Sequence, residues 1–316
     1  MKKVFITGMT GFVGQHLKNH LLKKGYEISS VSKGDLCDPY SVESWRTALE
    51  KAECATVIHL IAKTHAADAR DPSALSTYRR VNVGITRALL EASKDYGVKR
   101  FVYLSSIKAV GEETPIDQSF TEESPCNPED CYGITKREAE ELILKNSRSI
   151  ETLILRPPLI YGPGVKGNFL KLMNAVQKGI PLPFAKVKNA RSMLNVYNLT
   201  YTIQIAVESH ASIDRIFHIA DNEAVSTSEL IHIMALALGK TPRLFPCSSI
   251  VLEKLGNFLG KSDTIKKLTR SLVVSNERVK KLLSITLPYT LPTGIETTAS
   301  WLWGLQKQTE RKIPEE

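Results

Sequence analysis

Residues 2–14 read KKVFITGMTGFVG, and this stretch decides the fold. Val4, Phe5 and Ile6 make the short apolar run of a buried strand. Gly8, Gly11 and Gly14 follow directly. FVGQHLKNHLLKK then has helical spacing, with Val13, Leu17, Leu21 and Leu22 on one face and Gly25 just past the end. A strand that turns through glycines into a helix presents backbone N–H groups and a positive helix end to an anion. A side chain at the closest approach would hold a phosphate away. The spacing is G-x-x-G-x-x-G rather than G-x-G-x-x-G, but its place between a first strand and a first helix favours a dinucleotide over a purely structural turn.

Outward from this turn the chain alternates. YEISSVS reads as a second strand, a helix follows from about Pro39, and ATVIHLIA is a buried strand. VNVGITRALLEASKDYG is a helix, RFVYLSS a strand, CYGITKREAEELIL a helix and ETLILRP a strand. Such alternation predicts an α/β fold, a doubly wound Rossmann-like parallel sheet. After Tyr161 the pattern becomes loop-rich and then helical, with Ser226-x-x-Glu229 as a capping box. The expected division is a dinucleotide-binding domain over 1–165, with 197–221 returning to it through the strand RIFHIAD, and a smaller, mainly helical substrate lobe over 166–196 and 222–316.

The 316 residues suffice for a full core, and the composition is that of a globular protein. No run approaches a membrane-spanning length, and the apolar run after MKK is too short for a secretory leader, so a cytoplasmic protein is expected, without membrane insertion. The five cysteines lack metal-ligand spacing, so free thiols and no metal are expected. Part of the net charge of +9 sits at 250–281, where eight Lys/Arg face three acids. No basic-aromatic interleaving accompanies it, so the basic balance fits a nucleotide diphosphate better than nucleic acid.

Tyr132 and Lys136 stand four residues apart at the start of a helix, one turn apart on one face. The pattern fits either a packing pair or an acid/base tyrosine tuned by a cation. Lowering a phenol by about three pKa units takes roughly 4 kcal/mol, which a neighbouring ammonium and a cationic nicotinamide would supply in a dry cleft.

Together, TGMTGFVG, GDLCD, VIHLIA, Asn82, FVYLSSIKAVGE, YGITK, RPPLIYGPG and the late R-x-x-x-x-V at Arg191 resemble the extended short-chain dehydrogenase/reductases. These are the epimerases, dehydratases and 4-ketoreductases of nucleotide sugars, and the likeness covers nearly the whole chain. LSSIKAVGE and YGPGVKGNF are most similar to the UDP-hexose 4-epimerase and UDP-N-acetyl-hexosulose 4-reductase subgroup. The resemblance implies Ser106, Tyr132 and Lys136 as catalytic groups, with Ser105 structural or facing the cofactor. It implies cofactor contacts from Gly8, Thr10, Gly11, Phe12, Val13, Gly14, Ser32, Lys33, Asp35, Leu36, Leu60, Ile61, Ala62, Asn82, Ser105, Tyr132, Lys136 and Pro157. Substrate contacts are expected from Ser106, Lys166, Asn168 and Arg191, the last as a diphosphate clamp. Leu159 and Asn198 depart from the family pattern, which has Asn and Asp there. The second strand ends Ser29, Ser30, Val31, Ser32, Lys33 without the acid that selects NAD, which favours NADP(H) over NAD(H).

These features put first the reduction of a UDP-4-keto-N-acetyl-6-deoxyhexose for surface polysaccharide synthesis. The alternative is a UDP-glucose or UDP-N-acetylhexosamine 4-epimerase that holds NAD tightly, and a non-catalytic dinucleotide sensor ranks third. Homodimerisation is also expected from the family. His59 and His218 fall in apolar strands and are expected to be core histidines.

Overall fold

The computed structural model describes residues 2–31, 34, 36–64, 69–209, 216–258 and 260–310. Ser32, Lys33 and Asp35, named above, lie outside them. The chain runs β1 (Lys3–Thr7), α1 (Phe12–Lys23), β2 (Glu27–Ser29), α2 (Val42–Ala52), β3 (Thr56–His59), α3 (Leu75–Arg79), α4 (Ile85–Tyr96), β4 (Arg100–Leu104), α5 (Cys131–Lys145) and β5 (Glu151–Arg156). It continues through β6 (Leu159–Tyr161), α6 (Gly167–Gln177), β7 (Arg191–Asn195), α7 (Val196–Glu208), β8 (Ile216–His218) and β9 (Ala224–Val225). The last helices are α8 (Thr227–Ala237), α9 (Ser249–Phe258), α10 (Ser262–Thr269), α11 (Glu277–Leu283) and α12 (Leu291–Glu310).

Among the described residues six strands form one parallel sheet in the order β2-β1-β3-β4-β5-β8. Side chains alternate across it, and both faces are buried. Phe5, Val57, Phe101, Tyr103 and Ile154 pack on one side with Trp45 and Leu49 of α2, Leu89 of α4 and Ile143 of α5. Val4, Ile6, Ile58, Val102 and Leu155 pack on the other with Leu17 and Leu21 of α1 and Leu199 and Ile203 of α7. Leu22, expected on the buried face of α1, is 49% exposed, because Leu17 and Leu21 already fill that side. The helix expected from Pro39 starts at Val42, after Ser41 caps it through the Ser44 amide.

The strand order reverses between β1 and β3, and in such sheets the ligand crevice lies beyond the strand ends at that switch point. A smaller sheet, β6-β7-β9, stands apart from the first, and helices α6, α8, α9 and α12 close a second core around Phe169, Met173, Leu230, Met234, Leu252 and Ile295. Ser226 and Glu229 make the capping box that starts α8. The loop after β4 is tied to the segment before α11 by backbone hydrogen bonds, Thr114 N to Ser271 O (3.0 Å) and Phe120 N to Val273 O (2.8 Å). Among the described residues no helix is long and apolar enough to cross a membrane.

Candidate active site

The glycine turn is built by close packing. Gly14 sits in the first turn of α1, where an added Cβ would run into the Gly8 carbonyl oxygen and the Met9 backbone. Gly8 in turn lies against the backbone of Leu60 and Ile61, at the end of β3. Gly11 caps α1 with no side-chain acceptor, so the amides of Phe12, Val13 and Gly14 lack the partner that an intrahelical carbonyl or a capping side chain would give. These amides, beside Thr10, suit a pyrophosphate. The Leu60 amide donates to Thr7 Oγ1 at 3.2 Å. Ile61 and Leu36 pack on the same core cluster. Beyond Ala62, Asn82 takes the Lys63 amide at 2.7 Å and donates to Thr135 Oγ1 at 3.0 Å, so it braces α5 against the end of β3. It does so from a π-helical turn, Arg80–Gly84.

The centre itself joins the end of β4 to the start of α5. Ser106 caps the short turn Ile107–Ala109, and its Oγ accepts from the Lys108 amide at 3.2 Å. Pro157, after β5, takes the Ile107 amide at 2.9 Å. Asp130 caps α5 through the Gly133 amide at 2.7 Å. Gly133 is required there, since a side chain would strike the Lys108 carbonyl. The approach sets Tyr132 beside Ser106, and Lys136 Nζ lies 5.9 Å from the Tyr132 ring centre. Lys136 is 1% exposed, and its ammonium donates to Leu104 O at 2.7 Å and Tyr103 OH at 3.1 Å.

Electrostatics here differ from the sequence-based expectation. Burial holds the Tyr132 phenol above its ordinary value; the Ser106 hydrogen bond pulls it down and the Asp130 charge pushes it up. Lys136, expected to lower the phenol, carries its own burial penalty, and its pKa falls to about 7 although Glu140 opposes this. Tyr132 is therefore a protonated acid, and Lys136 titrates near neutrality. The Ser105 hydroxyl points to Glu140 at 2.5 Å.

A charged cleft adjoins this centre. Lys108 links Asp130 (2.5 Å) to Glu112 (2.6 Å), and Glu112 pairs with Arg70 (2.6 Å). Arg70, Glu112, Glu113, Arg191, Lys267 and Arg270 are among the residues that line the cleft. Arg191 starts β7, donates to Arg270 O at 3.0 Å and, among the described residues, forms no ion pair; burial lowers its pKa to about 10. Lys267 is also shifted down, by burial and then by Lys108. Two under-compensated cations in one cleft suit a bound polyanion. Lys166 and Asn168, at the start of α6, are exposed and do not line this cleft.

Sequence reasoning did not single out Lys108, Asp130, Glu140 or Asp221 as functional residues. The Asp221 carboxylate accepts from the Asn195 amide, Tyr161 OH at 3.0 Å and Asn198 Nδ2 at 2.7 Å. This accounts for Asn198: an aspartate there would set a second carboxylate against Asp221. His59 lies between Thr7 Oγ1 and Thr86 Oγ1, and His218 beside Arg156, both fully buried. All five cysteines are thiols rather than disulfides.

Residues 4–220 match the NAD dependent epimerase/dehydratase family. The chain belongs to that family. A UDP-glucose 4-epimerase of Vibrio cholerae is 37% identical to it over 310 residues, 94% of each chain. An N-acetyl-alpha-D-glucosaminyl-diphospho-ditrans,octacis-undecaprenol 4-epimerase of Escherichia coli O157:H7 is 26% identical over 332 residues, again 94% of each. Among solved structures, the UDP-glucose 4-epimerase of Thermus thermophilus in complex with NAD superposes with a TM-score of 0.77 at 22% identity, covering 96% of this chain and 99% of that one. At that identity the likeness shows the shared fold. Family membership makes the chain an NAD(P)-dependent enzyme.

Proposed function

We propose that the enzyme oxidises and re-reduces C4 of a UDP-hexose, and so interconverts 4-epimers. The observation that carries this is the meeting of Ser106, Tyr132 and Lys136 beside a cleft whose Arg191 and Lys267 form no ion pair among the described residues. The similarity to a UDP-glucose 4-epimerase across 94% of both chains supports epimerisation over the reduction placed first by sequence reasoning.

The glycine turn, the open N-terminus of α1 and the buried ammonium of Lys136 fit a dinucleotide. NAD(P), when bound, supplies the hydride acceptor and donor. The protein's own groups handle the proton. Ser106 would steady the C4 oxygen, and Tyr132, deprotonated once the cationic nicotinamide and the charged Lys136 together offset its burial, would take the proton as C4 is oxidised and return it on reduction. Lys136, charged, holds the ribose and stabilises the phenolate. Arg191 and Lys267 grip the diphosphate, so that the sugar is free to turn between the two half-reactions.

Reduction of a 4-keto-N-acetyl-6-deoxyhexose remains a second reading. It draws on the protonated state of Tyr132 and the absence of an acid at the end of the second strand. The two readings separate by the cofactor that freshly purified protein releases on denaturation. Stoichiometric NAD⁺ together with conversion of UDP-glucose or UDP-N-acetylglucosamine to its 4-epimer supports epimerisation. Empty protein that binds NADPH more tightly than NADH supports reduction, and failure to bind either dinucleotide contradicts both.

A further inference from the structure

Helix α5 carries a third functional group in the Tyr132–Lys136 series. Tyr132, Lys136 and Glu140 stand at i, i+4 and i+8, so they form one stripe along the helix. Opposite them lie three successive residues at the end of β4. The Leu104 carbonyl takes the Lys136 ammonium at 2.7 Å, the Ser105 hydroxyl donates to Glu140 at 2.5 Å, and Ser106 lies against Tyr132. Each residue of the stripe thus meets the strand end, Lys136 through Tyr103 OH as well as Leu104 O.

Glu140 is fully buried, and Arg156 is 1% exposed. Arg156 Nε reaches Glu140 Oε1 at 2.9 Å and Nη2 reaches Oε2 at 2.7 Å, a two-pronged pair closed at its back by His218 Nε2, 3.3 Å from Arg156 Nη1. A buried ion pair is a weak source of stability, because desolvation of both charges offsets their attraction. Its placement is therefore informative. Lys136 faces Tyr103 of β4, the neutral His59 of β3, and Tyr132 and Glu140 of its own helix, while Arg156 of β5 stands behind Glu140 and Arg137 of α5 pairs with it at 3.7 Å. Glu140 is the acid in this set.

We infer that Glu140, held by Arg156, is a positioning residue that keeps Lys136 in its cationic form and locks the strand end carrying Ser106. The inference rests on the reading of Lys136 as a catalytic group. The carboxylate is the only group of the stripe that favours the ammonium against burial. Without it, the neutral amine would dominate at pH 7, and the positive charge beside Tyr132 would be lost. The Ser105 bond serves the second task, since Ser105 is fixed between Glu140 and the Leu155 carbonyl, 2.8 Å from its amide.

The test follows Lys136 directly, through the pH dependence of its ¹³Cε NMR signal in the full-length protein, assigned by its loss in Lys136→Met. Glu140→Gln keeps an acceptor for Ser105 and removes the charge. It should lower the Lys136 midpoint by about one pH unit or more and move the alkaline limb of activity down by the same amount. Glu140→Asp should restore part of the shift, and Ser105→Ala should leave the midpoint in place. If the single Gln variant does not fold because Arg156 is left unpaired, Glu140→Gln combined with Arg156→Met removes both charges and should show a smaller downward shift, because loss of the Arg156 cation offsets part of it. An unchanged Lys136 midpoint in any folded variant without the carboxylate overturns the inference. Because the NMR readout needs no sugar nucleotide, it stands or falls separately from the proposed reaction.

Discussion

Tyr132 and Arg191 illustrate how burial sets the chemistry of single residues. Replacing Tyr132 by Phe removes the acid and keeps the ring, so turnover should fall by about 10²–10⁴-fold while dinucleotide binding, measured by calorimetry, stays within a few-fold. Arg191 is a cation whose burial disfavours its charge, a penalty that Glu112 and Glu113 offset only in part. Arg191→Met should therefore raise the melting temperature while it raises KM for the UDP-sugar by at least about tenfold, the loss of a charge-assisted contact. A fall in both stability and affinity would show instead that Arg191 is a structural residue. The type and spacing of Tyr132, Lys136 and Arg191 were legible in the sequence because the motifs are local. The direction of the Tyr132 shift was not: a helical pattern tells which side chains share a face, but the cover above that face comes from Ser106, Tyr103 and Leu104, about 30 residues away.

At the scale of elements, the strand–glycine–helix turn and the capping box needed only neighbours, and both could be read directly. Ser226→Ala should cost about 1 kcal/mol in chemical denaturation, with the cofactor site unaffected. A different result is expected of Gly14→Ala, whose methyl meets the Gly8 carbonyl and the Met9 backbone. It should displace the turn and weaken dinucleotide binding more than it weakens binding of a UDP-sugar. Glu140 was illegible for an element-level reason. REAEELIL looks like a solvated charged face, and only the packing of α5 against β4 and β5 turns one of its acids inward onto Arg156. Asp221 is the same case, since its partners at Asn195 and Asn198 come from another part of the chain.

For the whole molecule, acid stability is a contest between buried groups of opposite sign. His59 and His218 are held neutral, chiefly by burial, with pKa values lowered to about 3. The unfolded chain takes up their protons near pH 6.5, so this stability is present above 6.5 and is lost as pH falls toward 3. Asp221, raised to about 6 by burial, contributes stability below 3.8 that is lost as pH rises through 6. Two histidines outweigh one aspartate, and the net loss between pH 6.5 and pH 4 should be roughly 4 kcal/mol. In Asp221→Asn the opposing contribution is gone, and denaturant titrations should show a steeper decline between pH 6 and 4 than in the wild type. In the proposed reaction, Arg191 of β7 and Lys267 of α10 line the charged cleft that forms the mouth of the substrate site. The central claim is that this mouth oxidises and re-reduces C4 of a UDP-hexose through Tyr132. The most direct measurement is the proton NMR spectrum of UDP-glucose deuterated at C4, incubated with the purified enzyme and with Tyr132→Phe. The account predicts UDP-galactose that keeps its deuterium at C4 with the wild type and, over the same time, at least about 10²-fold less of it with the variant. No new sugar nucleotide with the wild type, or equal conversion by both proteins, would contradict it.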